Sequence, residues 1–319
     1  MAGREASAPV TKVSLNESLR DRGSVNLGRR KASQAVAFGF FWLTGIIAVL
    51  ALLLIIGFVL LQGLRAIDLE FLTTRPKGGV SGEGGMSTTI VATLYLVVFT
   101  MVIATPLGVG AAVYLSEYAA DAARRSKTMA RIISISRAGV EILAGVPSIV
   151  YGLFGYALFV VAMNAFTGGF SIVSAGLAAA CMLLPVIVRT SEEALLAVPR
   201  GYREGSLARG ATKWQTITQV ILPAAMPGIV TGLILSVGRI VAETAIFWVT
   251  LGGSYLLPTS LKSSGRTMAL HVYMLATETR AMDKAMATAA VLIMTIILLN
   301  LIVNLTSRYY SKKLMGRTG

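Results

Sequence analysis

Six apolar stretches, at residues 38–63, 88–116, 138–163, 170–190, 224–251 and 285–306, are each 21 residues or longer. That is the length a helix needs to cross roughly 30 Å of hydrocarbon. Each stretch is expected to be helical, because lipid offers no partner to an unpaired backbone N–H or C=O. The chain therefore reads as an all-α integral membrane protein with six transmembrane helices. Its composition agrees: 55% of the 319 residues are hydrophobic and only 14% are charged, which is unlike a soluble domain. The formal charge of +14 would suit a nucleic-acid partner in a soluble protein. Repeated membrane-length runs assign it to topology instead.

The distribution of cations gives that topology. Of the 29 Lys and Arg residues, 21 lie in the leader 1–37, the 117–137 loop, the 189–223 segment and the tail after 306. Seven lie in the alternate loops 64–87 and 252–284, none lies at 164–169, and the last is Arg239. An excess of cations marks the cytoplasmic side, so both termini are expected in the cytoplasm and the alternate loops in the periplasm. Residues 1–37 are polar and basic, ending in Arg29, Arg30 and Lys31 before the first span. They read as a disordered leader with an inside anchor and carry no short apolar core with a small-residue cleavage site. Residues 307–319 form a cytoplasmic tail.

Chemistry-bearing residues are few. Cys181 is the single cysteine and His271 the single histidine, so neither a disulfide scaffold nor a Cys/His metal site is expected. His271 lies in "MALHVYMLA" (268–276), which reads as a partial helix packed in the outer loop. The glycine-rich "RPKGGVSGEGGM" (75–86) lacks the strand, lysine and helix start of a phosphate-cradling loop and reads as a flexible turn. Pro106, Gly145 with Pro147, Pro185 and Pro227 with Gly228 interrupt the spans, as expected of a packed bundle around a path or of ordinary kinks.

The segment "RTSEEALLAVPRGYREGSLARGATKWQTITQVILP" (189–223) is too polar to span and too regular to be a linker. Pro199 is expected to end one amphipathic piece, a short helix to start near Tyr202, and Gly210 to break it. Thr212 then caps a second piece before Pro223 and the fifth span. Such an elbow offers a projecting knob for a partner's groove. "GSLARGATK" (205–213) has the G-x-x-x-x-G spacing of a nucleotide loop, but Ala211 stands where the lysine is needed. ATP hydrolysis, if it drives this protein, belongs to another chain.

"EGSLARG" followed by "ATKWQTITQVILP" resembles the cytoplasmic signature of binding-protein-dependent ABC importer permeases: Glu204, Gly205, Ser206 and Gly210, then Val220, Leu222 and Pro223. Glycine and serine stand where that signature has two alanines. The resemblance implies a type I ABC importer permease (MetI-like) fold, with residues 203–212 as the coupling helix that docks into the ATPase through Glu204, Gly205, Ser206, Gly210, Ala211 and Thr212. From Phe71 onward, "FLTTRP" with "GGM", "LAGVPSIVYGLFG" (143–155) and "GRIVAETA" (238–245) resemble the phosphate-import permeases of PstA type. That resemblance implies an inner-membrane complex with a PstC-type second permease, two PstB-type ATPase subunits binding Mg-ATP, and a PstS-type extracytoplasmic phosphate-binding protein. No cofactor is implied on this chain, which would be a permease and not an enzyme. The leader 1–37 is outside the resemblance.

Within the fifth span, Arg239 and Glu243 are one turn apart. A charge at mid-membrane costs about 2.5–3.5 kcal/mol or more, so it faces a cavity or a partner. Spacing i, i+4 predicts that the two pair with each other. A packing pair is one reading. The other makes both substrate-path residues: the Arg239 guanidinium fork matches a phosphate edge, and Glu243 accepts a hydrogen bond from a protonated phosphate oxygen that sulfate lacks. Glu141 is expected to pair with Arg137 at a helix end, and Glu192 and Glu193 with Arg200 or Arg203. The alternatives to a phosphate importer are an ABC permease for sulfate or molybdate and, in another class, a secondary anion transporter. The latter would show internal symmetry and mid-membrane coupling carboxylates, neither of which is evident.

Overall fold

The computed structural model describes residues 12–77, 82–119, 126–279 and 281–314. Parts of five expected features fall outside them: residues 1–11 of the leader, 78–81 of the glycine-rich turn, 120–125 of the 117–137 loop, 280 of the 252–284 loop and 315–319 of the tail. The chain divides into two units, Met1–Phe58 and Val59–Gly319. The first is, in its described part, the beginning of helix α1 (Lys12–Arg65), which covers residues 12–37 of the expected leader as well as the first span. Its membrane-compatible portion is Arg30–Arg65.

The second unit holds the remaining spans. Helix α2 (Leu69–Thr73) is capped by Asp68, whose Oδ1 accepts from Phe71 N at 2.6 Å. Helix α3 (Ser87–Val113) continues into a π-helical turn at Tyr114–Tyr118. Helices α4 (Lys127–Ala144) and α5 (Ser148–Gly155, prolonged by a π-turn to Ala162) are the two limbs of the expected third span, bent by 105°. A short α6 (Asn164–Thr167) leads to α7 (Ile172–Leu196). The elbow helix α8 (Arg200–Ala208) and α9 (Lys213–Thr216) follow, then a π-turn at Ile217–Ile221 and α10 (Leu222–Ala242). Helices α11 (Ala245–Thr250), α12 (Met268–Glu278) and α13 (Met282–Leu314) complete the chain. Among the described residues, five helices are long and apolar enough to cross a membrane, six spans if the bent pair counts as one.

Helix α7 is the hub, packed by α3, α5 and α10. Its buried face carries Ala175, Ala178, Ala179, Leu183 and Ile187. Between helices in lipid there is little hydrophobic gain, so close van der Waals approach must hold the bundle. Alanines at helical spacing permit that approach. Threonines on α3 add polar ties: Thr93 Oγ1 bonds to Thr89 O at 2.7 Å and accepts from Met268 N, at the start of α12, at 3.0 Å.

The expected helix interruptions divide in two. Helices α3, α7 and α10 run through Pro106, Pro185 and Pro227 without ending. Of the expected interruptions, only Gly145–Val146–Pro147 breaks a span: α4 ends at Ala144, and Pro147 is extended at ψ 142° where α5 begins. Pro223 does not separate the elbow from the fifth span either. Lys213–Ala242 is one membrane-compatible stretch, because the π-turn at Ile217–Ile221, closed by Leu222 N to Ile217 O, absorbs the proline's missing donor and ring clash. The fourth span likewise runs on to Leu196, so "SEEALL" belongs to it and is not a separate piece.

Candidate functional site

The elbow forms as its local chemistry dictates. Pro199 precedes α8 with φ −56° and ψ 140°, a start at which no backbone donor is lost. Gly210 adopts φ +84°, the left-handed conformation that turns the chain. Thr212 and Gln215 form a capping box: Thr212 N donates to Gln215 Oε1 at 2.8 Å, and Gln215 N to Thr212 Oγ1 at 3.2 Å. Ser206 is buried and shares a 2.9 Å hydroxyl contact with Thr216, which joins α8 to α9. Glu204, Gly205, Gly210 and Thr212 are exposed, and Ala211 is half-buried. Tyr202, Leu207 and Trp214 are exposed too, an apolar set on a small knob that nothing in this chain covers.

The anion-type pair is arranged differently from its spacing. Helix α10 ends at Ala242, and Glu243 is extended at φ −72° and ψ 132°, so the i, i+4 relation to Arg239 is lost. Arg239 and Glu243 do not pair; the three ion pairs among the described residues are Arg137–Glu192, Arg189–Glu193 and Arg203–Glu117. Glu243 turns forward, its Oε1 accepting from Ile246 N at 3.3 Å at the start of α11. Arg239 is exposed. Tyr151 is buried and donates to Leu143 O at 2.8 Å across the bend between α4 and α5.

Two broken helices therefore meet here. Helix α11, after the Glu243 break, packs on α5, after the Pro147 break. At Gly152 an added Cβ would stand 2.8 Å from Val249 Cγ2 and 3.1 Å from Ile246 Cα, so only glycine allows this contact. An apolar cleft of about 490 Å³ opens beside them, with Tyr151, Phe154, Cys181 and Pro185 in its walls. A lone guanidinium beside two helix breaks can offer weak, charge-assisted contacts to a passing anion; the Tyr151 hydroxyl, whose proton goes to Leu143 O, is not a donor to it.

The remaining acidic residues choose partners other than those their spacing suggested. Arg137 pairs with Glu192 at 2.8 Å and also donates to Leu115 O at 3.1 Å, leaving Glu141 in the wall of a second cavity that Arg137 and Glu192 also line. Glu193 pairs with Arg189 at 3.1 Å, and Arg203 with Glu117. Tyr151 and Glu117 were not singled out by the sequence. Tyr151 lies inside the quoted "GVPSIVYGLFG" run, and Glu117 stands just past the end of the second span, which were the only signals.

On the loop 252–284, Thr267 caps α12 and His271 is packed at 3% exposure. Arg266 lies over the Tyr255 ring, donates to Gly253 O at 3.0 Å and sits 3.4 Å from His271 Nδ1. Burial, then the nearby Arg266 and Lys284 charges, push the His271 pKa from 6.5 down to about 3, so the ring is neutral and accepts from the guanidinium. The depressed value sets a sign: below pH 6.5 the unfolded chain takes up a proton that the folded chain refuses. Thermal unfolding in detergent is expected to show stability falling as pH drops from 6.5 towards 3, and His271→Gln to flatten that slope. An equal slope in the variant would assign the acid sensitivity elsewhere.

Residues 104–316 match the family described as "Binding-protein-dependent transport system inner membrane component". The probable ABC transporter permease protein YqgI of Bacillus subtilis is 31% identical over 89% of this chain and 98% of its own length. The phosphate transport system permease protein PstA of Haemophilus influenzae is 30% identical over 86% of this chain and 94% of its own. PstA 1 of Mycobacterium tuberculosis (strain H37Rv) is 36% identical over 71% of each. Among solved structures, an inward-facing MetNI methionine ABC transporter aligns with a TM-score of 0.49 at 21% identity, over 71% of this chain and 93% of that one.

Proposed function

The chain belongs to the family of binding-protein-dependent transport system inner membrane components, and we propose that it is the PstA-type permease of an ATP-driven inorganic phosphate importer. Membership of that family sets aside the secondary-transporter reading. The observation that carries the phosphate path is Arg239: an exposed, unpaired cation on an apolar span, beside two helix breaks. In lipid alone that charge would be costly, so a water-filled path or a second permease must face it. The likeness to phosphate permeases over most of the chain supplies the substrate.

In this reading α8 and Thr212 form the coupling knob, with Glu204, Gly205, Ser206, Gly210 and Ala211. The exposed Glu204, Gly205 and Thr212 and the turn at Gly210 suit docking in a PstB-type ATPase, of which two copies hold Mg-ATP, while buried Ser206 ties α8 to α9 instead of facing the partner. This chain itself binds no cofactor and is non-catalytic. A PstC-type permease completes the pore, and a PstS-type binding protein delivers phosphate from outside. The excess of Lys and Arg in the leader, the 117–137 loop, the 189–223 segment and the tail supports a bacterial inner-membrane placement with both termini cytoplasmic.

Glu243 is assigned to selectivity. One carboxylate oxygen caps α11, and the other has no hydrogen-bond partner within the described chain; it can accept from a protonated phosphate oxygen. Labelled-phosphate uptake by cells whose only high-affinity route contains this chain is expected to resist excess sulfate. Glu243→Gln is expected to keep uptake while admitting sulfate competition. Wild-type uptake suppressed by sulfate would make the substrate oxyanions more broadly. An unchanged phosphate-to-sulfate ratio in an active Glu243→Gln variant would remove Glu243 from selectivity.

A further inference from the structure

Helix α8 has nine residues, too few to hold its shape or direction alone. What orients it is a single arginine. Arg203 Nη2 donates to Glu117 Oε1 at 2.7 Å and to Leu195 O at 2.8 Å; Nη1 donates to Val198 O at 2.7 Å; and Nε lies 3.2 and 3.3 Å from the two Glu117 oxygens. The carbonyls belong to the end of α7 and the residues just after it, where backbone acceptors lack helical partners and the helix dipole favours a cation. One guanidinium thus joins the elbow, the end of α7 and the end of α3. Both side chains are well covered, at 21% and 8% exposure.

The second elbow helix holds the same place. Lys213 Nζ of α9 lies 4.7 Å from the centre of the Tyr118 ring, a cation–π distance. Glu117 and Tyr118 are consecutive residues of the π-turn Tyr114–Tyr118, which is closed by Ala119 N to Tyr114 O. Each elbow helix therefore sends one cation to one five-residue turn, and the buried Ser206–Thr216 contact makes the two helices act together. That turn is the last of α3, and α3 packs along α7 and α10, the helix that carries Arg239. π-Turns are rare and concentrate at working joints of helices.

We propose that the Arg203–Glu117 clasp is the coupling joint of this permease, carrying displacement of the elbow into α3. The proposal rests on the elbow docking an ATPase. Arg203 and Glu117 are positioning residues: they touch neither nucleotide nor anion. A covered ion pair is a poor way merely to stabilise, since a well-packed apolar pair serves as well or better. A directional clasp differs, because its hydrogen bonds fix the angle between the elbow and α3.

The test is phosphate imported per ATP hydrolysed by the complete complex in proteoliposomes, for wild type, Arg203→Gln, Glu117→Gln and the double variant. Each single variant is expected to assemble with the ATPase, to hydrolyse ATP, and to import about tenfold less phosphate per ATP. The double is expected to lose no more than either single, since both remove one interaction. The apolar pair Arg203→Met with Glu117→Met keeps the site filled and is expected to restore assembly, if a single variant fails to assemble, but not coupling. Normal phosphate per ATP in the assembled singles or the Met pair, or additive losses in the double, would overturn the clasp. A wild-type complex that fails to import phosphate on ATP would overturn the docking reading instead, so the two failures are separate.

Discussion

Arg239→Ala is expected to lower phosphate uptake roughly 10- to 100-fold while the complex still assembles. Hydrogen bonds from a charged donor contribute about 1.5–3 kcal/mol, and each 1.4 kcal/mol is about a factor of 10. The fold has little to lose. Arg239 is exposed, takes part in none of the three ion pairs, and lies on α10 away from the buried Ile240 and Val241. Its removal also relieves the cost of a charge in an apolar span, so the protein should accumulate at least as well as wild type. Arg239→Lys separates two contributions: it keeps the charge and loses the planar fork, and is expected to fall between wild type and alanine. Labelled uptake with membrane abundance as control decides the matter. Normal uptake by an abundant Arg239→Ala variant would move the path to another helix.

Gly205→Trp is expected to abolish uptake by preventing the ATPase from binding, with the permease itself intact. Gly205 lies inside α8, is exposed, and an added Cβ there would meet nothing within 4 Å. Nothing internal requires glycine at this site, and glycine costs a helix about 1 kcal/mol relative to alanine. Gly205→Ala is therefore expected to be harmless or stabilising, as the alanines usual at this point of the family signature suggest. A tryptophan has room in the isolated chain and none in a fitted groove. Co-purification of the ATPase with tagged permease reads the result. An ATPase that still co-purifies with the Trp variant, with uptake intact, would mean that this face of α8 is not the docked one.

These two residues mark different depths of legibility. Gly205 and its neighbours were readable because a cap, a glycine turn and a short helix are set by residues a few positions apart: Thr212 and Gln215 close their capping box and Gly210 takes its left-handed turn. Arg239 was readable as a cost, since one charge in an apolar run stands out. That it stays unpaired among the described residues was not. Spacing pointed to Glu243, but α10 ends one residue too early for that contact.

By itself the sequence determined that the chain spans a membrane as helices, where the elbow turns and is capped, and which family signature it bears. Those features depend on run length, composition and contacts within one or two turns, all linear in the chain. Tertiary structure alone decided that Pro147 breaks its span by 105° while Pro106, Pro185 and Pro227 leave theirs unbroken. It also decided that Arg203 takes Glu117, 86 residues away, over the nearer Glu192 and Glu193. Carboxylates of one chemical type compete almost equally for a guanidinium, so the choice falls to whichever the packed helices bring within hydrogen-bond reach, and that depends on how α3, α7 and α8 cross.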